Sequence, residues 1–93
     1  MKKRFIMINP KDNVGVVLVD VNKNDIVYCE NYKLVARDNI KFAHKIALKD
    51  IRQREDIIKY GESIGYALVN ISKGDWVHIH NMDCERAREG RLV

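Results

Sequence analysis

Residues 14–31 (VGVVLVDVNKNDIVYCEN) lie without a gap on residues 64–81 (IGYALVNISKGDWVHIHN), and seven positions are identical: Gly15/Gly65, Leu18/Leu68, Val19/Val69, Lys23/Lys73, Asp25/Asp75, Val27/Val77 and Asn31/Asn81. A weaker third copy stands between them, where Ala47, Leu48, Asp50, Ile51, Glu55 and Ile57 match Ala67, Leu68, Asn70, Ile71, Asp75 and Val77. The shared unit reads apolar-Leu-x-Asp/Asn-Val/Ile, three variable residues, then Asp/Glu-x-Val/Ile. Recurrence on this scale marks a structural unit, and its composition sets the fold class.

Each copy puts a short β-branched run on either side of a polar turn, Asn22-Lys23-Asn24-Asp25 or Ser72-Lys73-Gly74-Asp75. That pattern predicts strand, tight turn, strand, and so an all-β fold of hairpin-like units with little helix. Gly74 fits a turn position that needs positive φ, and Asn24 in the equivalent place is the next most tolerant residue. Arg54 tolerates that conformation less well, so the middle turn is expected to be altered. Composition alone would make residues 45–59 a helix, since they are rich in Lys, Glu, Arg, Ile and Leu; the alignment to the neighbouring copies outweighs it. Residues 5–8 read as an opening strand stopped by Pro10, and residues 32–40 as a strand and connection. The domain is expected to span residues 1–81, with the polar residues 82–93 as a charged tail or linker.

With 93 residues the chain is one domain. Its net charge of +4 is dispersed, with Lys2-Lys3-Arg4 as the one basic run and no basic stripe interleaved with aromatics. The electrostatic footprint of nucleic-acid binding is therefore missing, while a mildly positive domain suits a small anionic substrate. The longest apolar stretch, residues 14–19, is too short to cross a bilayer. Asn9, Pro10, Lys11 and Asp12 interrupt the run a signal peptide would need, which places the chain in the cytoplasm as an expectation. Cys29 and Cys84 lack metal-type spacing and are expected to be free thiols.

Chemistry concentrates at the histidines. His44 precedes the middle unit, while His78 and His80 fall in what reads as the last strand, with side chains on one face about 6.5 Å apart and Val77 and Ile79 packing on the other. Such a pair can ligate one divalent metal or bind an anion. It can equally be a solvent-facing polar row, because the aligned residues Tyr28 and Glu30 are also polar or amphipathic. Lys45 and Lys59 could hold a carboxylate as point charges, and Tyr60 could meet a sugar hydroxyl, although such residues are also ordinary on surfaces. Gly61 and Gly65 look like turn or close-approach positions, and Asp12 and Asn13 like turn formers. No complete catalytic constellation is visible, so the domain is not expected to act alone.

The segments HKIALKDI (44–51), IIKYG (57–61), IGYA (64–67), ISKG (71–74) and WVHIHN (76–81), with INPKDNV (8–14), resemble the N-terminal SAF domain of the altronate and galactarate dehydratases. The resemblance implies a β-clip fold of bent hairpins, in an enzyme whose larger subunit or domain carries most of the catalytic machinery. The implied reaction removes the proton α to a carboxylate and expels the β-hydroxyl as water, with a divalent metal, iron, shared with or held by the large subunit. On that basis His44 and His80 are the catalytic candidates and His78 and His80 the metal ligands. Lys45, Lys59, Tyr60 and Asn81 become contacts to an acidic sugar substrate. Two residues depart from the family pattern: Ala43 stands where glycine is usual before the His-Lys pair, and Arg54 where glycine is common. The small subunit of sulfolactate sulfo-lyase and a non-catalytic carbohydrate-binding SAF module are the competing expectations. Exposed hairpin edges would also let two copies pair as a homodimer.

Overall fold

A computed structural model describes residues 2–84. Its described residues form β1 (Lys3–Ile6), β2 (Val14–Val17), β3 (Ile26–Cys29), β4 (Tyr32–Val35), β5 (Lys45–Ala47), β6 (Asp56–Lys59), β7 (Glu62–Ala67), β8 (Trp76–Val77) and β9 (Met82–Asp83), with no helix among them. One sheet runs β4-β3-β1-β2-β5-β8, the other β6-β7-β9. The pairing is antiparallel except between β1 and β3.

The repeat organises this architecture, and there are four copies rather than three. Residues 17–27, 36–46, 47–57 and 67–77 share one backbone course: strand end, bend, isolated bridge, turn, strand. Position one is Val17, Ala36, Ala47 or Ala67; position five is Val21, Ile40, Ile51 or Ile71; position eleven is Val27, Ile46, Ile57 or Val77. None of these twelve residues is more than 2% exposed. Burying each of the isoleucines and valines contributes roughly 1.5–3 kcal/mol. This use of Ile46, Ala47, Ile51 and Ile57 is what overrides the helical composition of residues 45–59.

The copies interlock in pairs. Val21 bridges Ile40 and Ile51 bridges Ile71, giving one core cluster from the first two copies and another from the last two. The Asx residue at position four braces the partner copy's turn. Asp20 Oδ1 accepts from Phe42 N–H and Asn39 Oδ1 from Lys23 N–H, both at 2.8 Å. Asp50 Oδ1 accepts from Lys73 N–H at 2.9 Å and Asn70 Oδ1 from Gln53 N–H at 2.8 Å.

This arrangement corrects the hairpin reading of the unit. The strands on either side of each turn do not pair with each other: β2 pairs with β1 and β5, β3 with β1 and β4, and β5 with β2 and β8. The hairpins β3–β4 and β6–β7 lie between copies. Position eight has positive φ in every copy: Asn24 (79°), Ala43 (72°), Arg54 (81°) and Gly74 (94°). Arg54 thus follows the common course, and the middle turn is not altered. At Gly74 a Cβ would lie 2.2 Å from the Val35 carbonyl oxygen, so a side chain is excluded there by space as well as by φ. The tail expectation also changes at its start, because Met82 is buried in the second cluster and β9 pairs with β7. Residues 85–93 of the expected tail lie outside the described residues. Cys29 and Cys84 are free, as expected, and no helix among the described residues is long and apolar enough to cross a membrane.

Candidate functional site

Position nine of the repeat carries the first clue. Asp25, Glu55 and Asp75 each turn their carboxylate back onto the backbone N–H three residues earlier, of Asn22, Arg52 and Ser72. The fourth copy to fill this place has His44, which leaves that turn without its carboxylate and is used differently. His44 Nδ1 accepts from the Trp76 indole N–H at 3.1 Å. Its ring centroid lies 5.8 Å from that of Trp76 and 5.0 Å from that of His78.

Trp76 is the hub. Its indole stacks on His78 at 5.4 Å and 11°, and His80 lies against it at 4.7 Å. Its own backbone N–H donates to Asp38 Oδ2 at 3.0 Å, and β8 pairs Trp76 with Ile46 of β5. The expected last strand stops at Val77, and residues 78–81 form a turn, so strand alternation does not place the histidines. Ile79, expected to pack, is 79% exposed. Trp76 instead gathers His78 and His80 by ring contact.

Asn81 makes that turn. It is 6% exposed, its Oδ1 accepts from His78 N–H at 2.9 Å, and its Nδ2 donates to the Trp76 carbonyl at 2.8 Å. Its side chain therefore holds the histidine turn, a different task from the substrate contact expected of it. The short loop follows from turn chemistry, with one buried amide bonding backbone at both ends.

Lys45 follows His44 on β5 and is half-buried. Burial, and then the positive charge of Lys59, hold its ammonium below the ordinary lysine range, with Cys84 acting the other way. It belongs to neither of the ion pairs Lys3–Asp25 and Arg37–Asp75. Burial likewise lowers His78, reinforced by His44, Lys45 and His80. Lys45 and His78 line a depression of about 430 Å³ with Asp83, Cys84 and the apolar Ile64, Leu68, Ile79 and Met82, within the range of small-molecule sites. A larger depression of about 740 Å³ is bordered by Lys23, Lys33, Arg37 and Lys73. It has no histidine on its lining, and the clustered titratable groups favour the smaller one as the site.

Lys59 and Tyr60 lie at the tip of the β6–β7 hairpin, the Lys59 ammonium 4.9 Å from the Tyr60 ring centroid. Neither makes a hydrogen bond or ring contact with the histidines among the described residues. Tyr60 (φ 57°) and Gly61 (φ 80°) give the paired positive φ of a type I′ turn. Asp12 anchors that tip by accepting from Gly61 N–H at 2.8 Å. Burial works against the Asp12 charge, but N–H groups of Gly61, Asn9, Tyr60 and Ile8 outweigh it and hold the carboxyl below its ordinary value. Asn13 bonds both the Asp56 carbonyl and Ile58 N–H. Both residues are thus scaffold: Asp12 also closes its own turn by accepting from Asn9 N–H, as expected, whereas Asn13 clamps β6 instead of forming a turn.

Among the described residues no group of three or more His, Cys, Asp and Glu side chains is placed to hold an ion, so the expected pair His78 and His80 lacks a third ligand. Trp76 and Asp38 were missed as site residues. The signal for Asp38 was the fourth copy, obscured because Arg37 replaces the leucine and His44 the carboxylate of the repeat, whereas Trp76 stands in a copy already aligned and its role shows only in its bond to His44.

Comparison with known proteins places this geometry. The family described as the altronate/galactarate dehydratase SAF domain matches residues 3–85. Altronate dehydratase of Bacillus subtilis (strain 168) is 40% identical over 79 residues, covering 85% of this chain and 16% of that protein. The altronate dehydratase of Escherichia coli (strain K12) is 41% identical over 78 residues, 84% of this chain and again 16% of the relative. The chain thus spans about a sixth of these enzymes. The alpha subunit of (2R)-sulfolactate sulfo-lyase from Chromohalobacter salexigens is 30% identical over 89 residues, 88% of this chain and 95% of that subunit.

Proposed function

Because the chain belongs to the SAF-domain family of the altronate and galactarate dehydratases, we propose that it is the substrate-facing part of a sugar-acid lyase completed by a larger subunit or domain. The observation that carries this reading is His44, released from the turn-capping task of its three counterparts and gathered with His78 and His80 on Trp76 beside a desolvated lysine. A half-buried ammonium outside the observed ion pairs gains by meeting a carboxylate, because the incoming charge offsets its desolvation. The histidines supply hydrogen bonds to hydroxyl or acid oxygens. Lys59 and Tyr60 form an outer contact at the hairpin tip.

The described residues contain neither a metal site nor a nucleophile with its base, so the larger partner is assigned any divalent metal, iron included, and the α-proton abstraction. Sulfolactate sulfo-lyase is the second reading, favoured by the match along nearly all of its alpha subunit. The higher identity to the altronate dehydratases puts the sugar acid first.

The test is co-purification of the tagged chain from its native cell, followed by assay of the eluate for dehydration of altronate and galactarate and for release of sulfite from sulfolactate. Trp76 is the only tryptophan, so the chain's own fluorescence reports acid binding alongside. Recovery of a larger protein with keto-acid formation is the expected result. A lone chain with no turnover and no fluorescence response to any of the three acids overturns the proposal.

A further inference from the structure

One of the two ring nitrogens of His44 is already engaged. The Trp76 indole N–H donates to Nδ1 at 3.1 Å. An indole N–H can only donate, so Nδ1 must offer its lone pair, and a neutral imidazole then keeps its single proton on Nε2. The indole itself is held by the backbone bond to Asp38, by the pairing of Trp76 with Ile46 and by rings against it at His78 and His80.

We infer that Trp76 is a positioning residue that fixes His44 as its Nε2–H tautomer, so that His44 donates a hydrogen bond to a substrate acid oxygen and is not the base that takes the α-proton. The identity of the acceptor rests on the lyase reading above; the tautomer rests on the Trp76 contact alone. A base needs an unprotonated nitrogen facing its substrate, whereas here the free lone pair faces the indole. Accepting a proton at Nδ1 would set two N–H groups against each other, and Nε2 already carries one. A fixed donor, by contrast, is suited to an oxygen that gains negative charge as the α-proton leaves.

Long-range nitrogen–proton correlation spectra of the whole chain, recorded at about pH 8, above the ordinary imidazole range, read the tautomer directly. The expected spectrum shows a protonated Nε2 and an unprotonated Nδ1 at His44. Trp76→Phe, which keeps an aromatic ring for His78 and His80, should shift the population toward Nδ1–H. In case that variant does not fold, the Trp76 indole proton in His44→Ala provides a second reading and should lose its hydrogen-bonded shift. A protonated Nδ1 in the unmodified chain overturns the inference, as does an indole proton indifferent to His44. In the assembled enzyme, His44→Ala should lose about a hundred-fold in kcat, and His44→Gln, which restores an N–H donor but no base, should recover about ten-fold of that loss. Equal loss in both overturns the donor role. Unchanged turnover in both overturns the donor role while leaving the tautomer lock intact; an assembly of the unmodified chain with no turnover overturns the lyase reading instead.

Discussion

Replacing His44 by aspartate should make the chain more stable than replacing it by alanine, although neither variant restores the N–H donor. The three sister turns show why: Asp25 and Asp75 each accept the backbone N–H three residues earlier at 2.7 Å, and Glu55 does the same. His44 occupies the matching place, three residues after Lys41, and its turn already has the same backbone bond, from His44 N–H to the Lys41 carbonyl at 2.9 Å. An aspartate there finds its acceptor geometry preformed. Side-chain caps of this kind contribute about 1 kcal/mol over alanine, and both variants lose the Trp76 bond equally, so that loss cancels. For a domain of this size about 1 kcal/mol corresponds to roughly 4–8 °C in Tm. Thermal and urea unfolding of the two variants, followed by circular dichroism, measures the difference. Equal midpoints, or a less stable aspartate variant, would show that position nine is not a vacated cap and would remove the argument for His44 as a functional departure.

Arg54→Gly should gain about 0.5–1 kcal/mol, because a non-glycine residue at φ 81° carries roughly 1–2 kcal/mol of strain and glycine's extra unfolded-state entropy returns only part of it; Arg54→Ala, which keeps the Cβ, should gain nothing in the same urea titration. Asn81→Ala should cost about 2 kcal/mol of unfolding free energy for its two turn bonds. His78 titrates below its ordinary 6.5 in the folded chain, so the unfolded chain binds protons more readily and stability is lost as pH falls through that value; His78→Asn should flatten the decline in urea midpoint between about pH 7 and pH 5. Ile79→Asp should leave stability within about 0.5 kcal/mol but weaken co-purification of the larger partner, since Ile79 is 79% exposed between the two site histidines.

The all-β fold and the repeat were legible because both are written in local residue types: Asx before a β-branched residue, a polar turn, a carboxylate, a second β-branched residue. The copy at residues 36–46 was illegible because two of its landmarks, Arg37 and His44, had changed, and a sequence match counts such changes as noise. The backbone does not, since Ile40, Ala43 and Ile46 suffice to keep the course. The pairing of copies with one another was hidden for a different reason. A strand-turn-strand pattern specifies which residues turn, not which strand the chain meets afterwards. Of the candidate site, His44, Lys45, His78 and His80 were found by residue type, whereas the roles of Trp76, Asp38 and Asn81 depend on contacts across 5 to 38 residues of sequence.

The position of the site follows from the way the halves of the chain meet. Residues 17–46 and 47–77 repeat the same pair of copies, so Lys45 corresponds to Trp76 and Ile46 to Val77. Those four residues pair crosswise, Lys45 with Val77 and Ile46 with Trp76, which is what a local two-fold axis between β5 and β8 requires. On such an axis two identical halves would bring together two identical position-nine residues. Two carboxylates would serve both turns and leave the indole N–H without the acceptor it now has; two histidines would leave both turns uncapped. The observed chain has Asp75 capping its turn on one side and His44 on the other, and Trp76 bonds to the side that was released. A single binding site at this seam therefore requires the halves to differ at positions nine and ten, the two places where His44 and Lys45 depart from Asp75 and Trp76.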